Sequence, residues 1–158
     1  MKVIFLDVDG VLNTFFSKSR CEGYIGIDKA RLRYLKQIID ATGAKVVLSS
    51  TWRLGYNRDG GRMERHGVYM SRKFQKMDIR IHSVTPAIEG GFYRGREIKQ
   101  WMEECPEKIE SFVILDDELY DFPDENLTKN HVMTNFDLPD GGLNEEAVNK
   151  AIKILNGE

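Results

Sequence analysis

The sequence predicts a doubly wound, Rossmann-like α/β fold, in which helices cover both faces of a parallel sheet. Short apolar runs alternate along the chain with amphipathic helical segments, which is the pattern of that fold class. Several of these runs also end abruptly in polar, reactive residues. A length of 158 residues, 41% of them hydrophobic and 30% charged, is typical of one soluble globular domain. We therefore expect a single domain over residues 1–158.

The first strand, the first helix and the second strand are predicted in that order. Residues 3–6 are wholly apolar, as in a strand buried on both faces. Asp28 is the predicted N-cap of a helix with apolar residues at helical spacing, and Gly43 is its predicted C-cap. Residues 45–49, with the sequence KVVLS, form the next predicted strand. Together they predict a βαβ unit.

The periodicity weakens over residues 53–93, where Gly60–Gly61, Gly67 and Gly90–Gly91 interrupt the chain. This pattern predicts a small inserted flap or cap that contains short elements at most.

Regular structure resumes after this segment. The pattern predicts a helix over about 95–104, a strand over 112–115 and a further strand over 131–134. Asn144 is the predicted N-cap of a last helix with an apolar face.

Reactive side chains follow three of the predicted strands. The first strand is followed by Asp7 and Asp9, the second by Ser49–Ser50 and the third by Asp116–Asp117. Because ligands of such sheets bind beyond the carboxyl ends of the strands, we expect these groups to meet at one edge. Crowded carboxylates repel one another and require a hard cation, and oxygen ligands without histidine or cysteine suit Mg²⁺.

A phosphoryl group fits the same predicted edge. Hydroxyls and cations near the carboxylates, from Ser50, Arg94 and Lys99, would suit phosphoryl oxygens that Mg²⁺ also holds. The carboxylates could then serve as nucleophile and as proton donor.

The chain resembles the haloacid dehalogenase (HAD) superfamily of phosphohydrolases. The resemblance rests on motifs in the family's order: FLDVDGVLN at residues 5–13, VVLSSTWR at 46–53 and VILDDE at 113–118. It implies that Asp7 attacks phosphorus to give an aspartyl-phosphate, and that Asp9 protonates the leaving oxygen and then activates water. It also implies a Mg²⁺ site at Asp7, Asp9, Asp116 and Asp117.

The same resemblance implies two phosphate ligands and leaves each open between neighbours. Ser50 is favoured over Ser49 as the hydroxyl of the second motif. Arg94 is favoured over Lys99 as the cation at the start of the helix before the last acidic strand. Together with RGREIKQWM at residues 94–102, the motifs are similar to the phosphatase-like domains of multifunctional RNA repair proteins.

Trp52 and Arg53 follow the serine motif directly and have two readings each. Both are predicted substrate contacts. Alternatively, Trp52 is a core residue and Arg53 is a structural ion-pair partner.

Charge is unevenly distributed along the chain. The net charge is −2, but residues 53–96 hold ten Lys and Arg against four acids, a net +6. Aromatic residues are interleaved with these cations: Tyr56, Tyr69, Phe74, Phe92 and Tyr93. Cations that track phosphates and rings that stack on bases favour a nucleotide or a nucleic-acid end as substrate. A merely solvated basic loop is the alternative.

These observations predict a Mg²⁺-dependent phosphomonoesterase acting on a phosphorylated small molecule or a nucleic-acid end. The alternatives are a phosphotransferase or mutase on the same fold, and a non-catalytic nucleic-acid-binding module. Two cysteines are too few for a disulfide framework, and the first residues form neither a signal peptide nor a membrane span. We therefore expect a cytoplasmic protein with no membrane association and no obligate protein partner.

Overall fold

The computed structural model describes residues 1–57 and 62–158. The helices are α1 (Lys29–Thr42), α2 (Arg65–Gln75), α3 (Arg94–Glu104) and α4 (Glu145–Asn156). The strands are β1 (Lys2–Leu6), β2 (Arg20–Cys21), β3 (Tyr24–Ile25), β4 (Lys45–Leu48), β5 (Ile81–Val84), β6 (Ser111–Asp116) and β7 (His131–Met133).

Within the described residues, five strands form one parallel sheet in the order β5-β4-β1-β6-β7. Side chains alternate between its faces, so Ile4 and Leu6 pack against α1, α2 and α4, whereas Val3 and Phe5 pack on the α3 side. The predicted α/β class is confirmed, because helices cover both faces of an all-parallel sheet.

The predicted boundaries of α1 and α4 are confirmed. Gly43 adopts φ 68°, the left-handed conformation that a C-cap glycine tolerates, and its amide donates to Ile39 O. Asn144 Oδ1 accepts from the Ala147 amide at 3.0 Å, as an N-cap should. Asp28 occupies the N-cap of α1, but its carboxylate instead accepts from Arg31 at 2.6 Å.

The segment 53–93 contains more regular structure than the predicted flap. It supplies the whole of α2 and the edge strand β5, which pairs with β4. The periodicity was weak because α2 buries few large apolar residues, chiefly Met70 and Phe74, and because β5 is only half-buried. The predicted break at Gly60–Gly61 lies outside the described residues.

A small antiparallel hairpin of β2 and β3 lies between β1 and α1. Its two-residue strands carry almost no periodic signal, so the hairpin was not predictable from sequence. Its turn is formed by Glu22 and Gly23, with φ of 52° and 88°. The hairpin packs against α2: the Ile27 amide donates to Tyr69 Oη at 3.0 Å, and Gly26 leaves no space for a Cβ beside that hydroxyl.

None of the helices in the described part of the chain combines the length and the apolar character needed to cross a bilayer.

Candidate active site

Strand register brings the three reactive strand ends to one place. Leu6 at the end of β1 pairs with Leu48 of β4 and with Leu115 of β6. The backbone pairing continues one residue beyond these strands. The Asp7 amide donates to Leu115 O at 2.9 Å, and the Ser49 amide donates to Leu6 O at 2.8 Å. The central strand therefore presents Asp7 between the ends of its two neighbours.

Three carboxylates meet at this edge. One oxygen from each of Asp7, Asp116 and Asp117 lies within 4.8 Å of the other two. Asp7 is 6% exposed and Asp116 1% exposed, so water screens little of their mutual repulsion. We call these three residues the carboxylate cluster.

The pKa values of the cluster record this repulsion. Burial and the charge of Asp7 raise the pKa of Asp116 to about 8 and that of Asp117 to about 6. Burial also raises the pKa of Asp7, although Arg94 and a hydrogen bond from Ser50 oppose the rise. A hard divalent cation would remove the repulsion, and an all-oxygen donor set suits Mg²⁺. The residues therefore fit the predicted ion.

Gly10 allows Asp117 to reach the cluster. Its φ of 77° lies in the left-handed region, and a Cβ at this position would overlap the Asp117 carboxyl group. The Gly10 amide donates to Asn13 Oδ1 at 3.0 Å, which stabilises the turn after β1. Steric exclusion of a Cβ therefore explains why the first motif has a glycine at position 10.

Asp9 lies beside the carboxylate cluster but not within it. Its Oδ2 accepts from Trp52 Nε1 at 3.0 Å, and its Oδ1 accepts from Asn13 Nδ2 at 2.8 Å. These contacts place the Asp9 side chain outside the carboxylate cluster, and its role as a metal ligand stays a prediction. They leave it as an oriented carboxyl group next to Asp7, which suits proton transfer.

Asn13 is a site residue that the sequence analysis quoted but assigned no role. It is fully buried, and its amide group holds Asp9, the Gly10 amide and Gly26 O. Its position three residues after the turn glycine was a usable signal, because asparagine often bonds to backbone nearby in turns.

Of the two candidate serines, Ser50 lies against the nucleophile candidate. Ser50 is fully buried, and its hydroxyl hydrogen-bonds to the Asp7 carboxylate and accepts from the Trp52 amide at 3.3 Å. Ser49 is equally buried, but its Oγ has no hydrogen-bond partner among residues 1–57 and 62–158. The placement therefore favours Ser50 as the hydroxyl at the site.

Of the two candidate cations, Arg94 lies at the cluster. Its Nη1 is 3.9 Å from Asp7 Oδ1, and its guanidinium lies over the Tyr120 ring, 5.0 Å from the centroid. Burial alone would lower the pKa of Arg94, but the charges of Asp7 and Asp116 outweigh it and raise that pKa. Within the described part of the chain, Nη1 has no hydrogen-bond partner although Arg94 is only 6% exposed.

The structure places Lys99 in an ion pair outside the carboxylate cluster, and its predicted phosphate contact stays a prediction. Its Nζ forms an ion pair with Glu125 at 3.0 Å, and its side chain is 38% exposed. One turn further along α3 than Arg94, it has rotated away from the sheet edge.

Asp121 holds the start of α3, and with it Arg94. Its carboxylate accepts from the Gly95 amide at 2.5 Å and from the Arg96 amide at 3.2 Å, two donors that a helix start leaves free. Sequence offered no sign of this contact, because Asp121 follows β6 and is distant in the chain from α3.

The structure places Arg53 in a buried ion pair, as one of its two predicted interpretations has it, and the substrate contact stays a prediction. Its Nη2 donates to Glu97 Oε1 at 2.8 Å, and its Nη1 donates to Ser50 O at 2.9 Å. Both side chains of the ion pair are less than a tenth exposed. The pair therefore joins the loop that carries Ser50 to the helix that carries Arg94.

Trp52 contributes to both the core and the site. Its ring is largely buried and packs edge-on against His66, with centroids 5.7 Å apart, while Nε1 reaches Asp9. It also lines a cavity of about 500 Å³ that opens at Asp9. The other walls of this cavity include Tyr24, His66 and Phe136. We call this cavity the mouth cavity.

The Trp52→Phe variant should lower kcat about tenfold. Asp9 loses one of the two donors that orient it, and general acid-base catalysis is worth about 10²–10⁴-fold in all. Phe is smaller than Trp, so this core position should also lose some thermal stability. Steady-state kinetics with a small phosphomonoester would measure this. The matched control is Trp101→Phe, which removes a bond to Ser83 at the far side of the sheet. Equal losses in both variants would contradict a specific role for Nε1.

A parallel sheet whose central strand ends in Asp-x-Asp, flanked by a serine end and an Asp-Asp end, defines the HAD class of phosphohydrolase folds. The chain belongs to the family described as the HAD domain in Swiss Army Knife RNA repair proteins, whose family model matches residues 3–148. No curated protein and no solved structure matches the chain.

Proposed function

We propose that the protein is a Mg²⁺-dependent phosphomonoesterase that acts through an aspartyl-phosphate at Asp7, on a nucleotide or polynucleotide end. The observation that supports this most is the buried, hydrogen-bond-deficient Arg94 Nη1 beside Asp7. A buried guanidinium nitrogen without an acceptor is costly, and a phosphoryl oxygen next to Asp7 would satisfy it.

The proposed reaction has two displacements. An Asp7 carboxylate oxygen attacks phosphorus, the bond from phosphorus to the substrate oxygen breaks, and Asp9 gives that oxygen a proton. Asp9 then takes a proton from water, whose oxygen attacks phosphorus and displaces Asp7 as a carboxylate. Ester and water have become alcohol and inorganic phosphate, and both aspartates return to their starting state.

The surrounding residues orient these groups. Ser50 and Arg94 would bind phosphoryl oxygens while they hold the Asp7 carboxylate in place. Mg²⁺ at the carboxylate cluster would neutralise charge on the carboxylates and on the phosphoryl group. Asp116 and Asp117, together with Asp7, are the residues that would hold it.

Three findings favour a nucleic-acid end as the substrate. The family's description places related domains in RNA repair proteins. The mouth cavity has aromatic walls beside Asp9, and Tyr24 there is 79% exposed, as a ring that stacks on a base would be. The net +6 over residues 53–96 favours a polyanion with many phosphates over a small phosphomonoester with one.

With a panel of phosphomonoesters, we expect Mg²⁺-dependent release of inorganic phosphate, with kcat/KM at least about tenfold higher for 5′- or 3′-phosphorylated oligonucleotides than for a sugar phosphate. Excess chelator should abolish the release and added Mg²⁺ should restore it. An inactive wild type would favour a binding module, and transfer to an alcohol in place of water would favour a phosphotransferase. Equal rates on oligonucleotides and sugar phosphates would exclude the nucleic-acid end as the preferred substrate.

A further inference from the structure

We propose that the groove between α2 and the β2–β3 hairpin binds the internal phosphates of a single-stranded polynucleotide whose phosphorylated end lies in the active site. The inference rests on the proposed function and adds a second binding site, remote from the chemistry. It makes the substrate a strand several nucleotides long instead of a mononucleotide.

The groove is a cavity of about 530 Å³ with strongly basic walls. Its charged lining residues are Arg20, Arg65, Arg72, Lys73, Lys76 and Glu22. Five cations face one acid there, and that acid is already paired with Arg65 at 2.8 Å. Such a concentration of cations attracts polyanions and releases their counterions on binding.

The cations of α2 and its C-cap lie in a stripe along one side of the helix. At 100° per residue, Arg65, Arg72 and Lys76 fall within about 40° of one another, away from the buried Met70 and Phe74, and Lys73 flanks them. From Arg65 to Lys76 the stripe is about 16 Å long, at a rise of 1.5 Å per residue. A stripe of that length exceeds one nucleotide, so it suits a run of backbone phosphates.

The groove lies next to the mouth cavity. Cys21 and Glu22 of the hairpin line both spaces, and Tyr69 lines the groove while it packs against Trp52 of the mouth cavity, with ring centroids 6.3 Å apart. A strand whose end lies near Asp9 can therefore pass the hairpin and continue along α2. Exposed Tyr24 lies on this route, where a base can stack on it.

The test measures binding of single-stranded RNA of 2 to 12 nucleotides with a terminal phosphate, using the Asp7→Asn protein so that the phosphate is retained. Affinity should rise with length and fall steeply with salt. In the additional double variant Arg72→Gln/Lys76→Gln, the slope of log affinity against log salt should decrease by about 1.4, at roughly 0.7 for each lost phosphate contact on single strands. Affinity for the 12-mer at low salt should decrease about tenfold.

The matched control is Lys29→Gln/Arg33→Gln, which removes the same charge from exposed positions on α1. It should leave the salt slope and the affinity nearly unchanged. Equal effects of the two double variants, or a 12-mer that binds no more tightly than a dinucleotide, would overturn the proposed groove.

Failure of the groove and failure of the proposed function have different signatures. With Asp7 intact, Arg72→Gln/Lys76→Gln should hydrolyse p-nitrophenyl phosphate at the wild-type rate, because neither residue contacts the carboxylate cluster. If the groove does not bind the polynucleotide, that hydrolysis persists but affinity does not rise with RNA length. If the phosphatase is wrong, the wild type hydrolyses no phosphomonoester, and the length series alone still decides for or against the groove.

Discussion

The Asp7→Asn variant is expected to lose at least about 10⁴-fold in kcat, the scale seen when a member of a nucleophilic catalytic unit is removed. An amide is a far weaker nucleophile than a carboxylate, so the first displacement fails. The measurement is Mg²⁺-dependent release of phosphate from a phosphorylated oligonucleotide.

Stability separates this loss from unfolding. Because Asp7 is buried near two other carboxylates, a neutral Asn should leave the metal-free protein at least as stable as the wild type. The matched control is Asp124→Asn, the same chemical change at an exposed position, which should retain wild-type activity. If Asp7→Asn kept more than about a tenth of the activity while the control kept all of it, Asp7 would not be the nucleophile.

The metal-free protein should lose stability between pH 6.5 and pH 8. The pKa of Asp116 is raised from 3.8 to about 8, so in this range the folded state holds a proton that the unfolded chain has released. Stability then falls as pH rises, by about 1.4 kcal/mol per unit. The total of about 2 kcal/mol corresponds to a decrease in Tm of roughly 5 °C. Asp117, with a pKa of about 6, adds its own loss mainly at lower pH.

Two other groups also contribute in this range. Burial lowers the pKa of His131 below 6.5, so that group adds stability as pH rises through the lower edge of the window and offsets part of the loss there. Burial also raises the pKa of Asp7, so its contribution has the same sign as that of Asp116. Thermal unfolding at each pH, with and without Mg²⁺, gives the measurement.

Two comparisons make the result specific. The Asp116→Asn variant should be more stable than the wild type at pH 8 without metal and should show a flatter pH dependence. Mg²⁺ should stabilise the wild type more at pH 8 than at pH 6.5, because it binds the ionised carboxylates. A Tm that is independent of both pH and Mg²⁺ would contradict an interacting carboxylate cluster.

Elements with a strong local pattern were predictable from sequence. Residues 3–6 and 46–48 are wholly apolar, and α1 and α4 carry both caps and apolar stripes. Because β1, β4 and β6 are parallel neighbours, their end residues had to meet, which placed Asp7, Ser50 and Asp116 together without any knowledge of side-chain positions.

Elements that depend on tertiary contacts were not predictable. The edge strand β5 is short and half-buried, and α2 turns a charged face to solvent, so neither has a full periodic signal. The direction of a single side chain was equally unpredictable from the sequence. Arg53 and Lys99 are cations near the motifs, yet acids on α3 and after β6 determine where each one points.

A crystal structure of the protein soaked with Mn²⁺, an anomalous scatterer that stands in for Mg²⁺, tests the central claim most directly. We expect one strong anomalous peak with Asp7 and Asp116 oxygens at coordination distance, about 2 Å, and Asp117 bound directly or through water. A fully occupied peak elsewhere, with the three carboxylates free of metal, would contradict the proposed reaction centre.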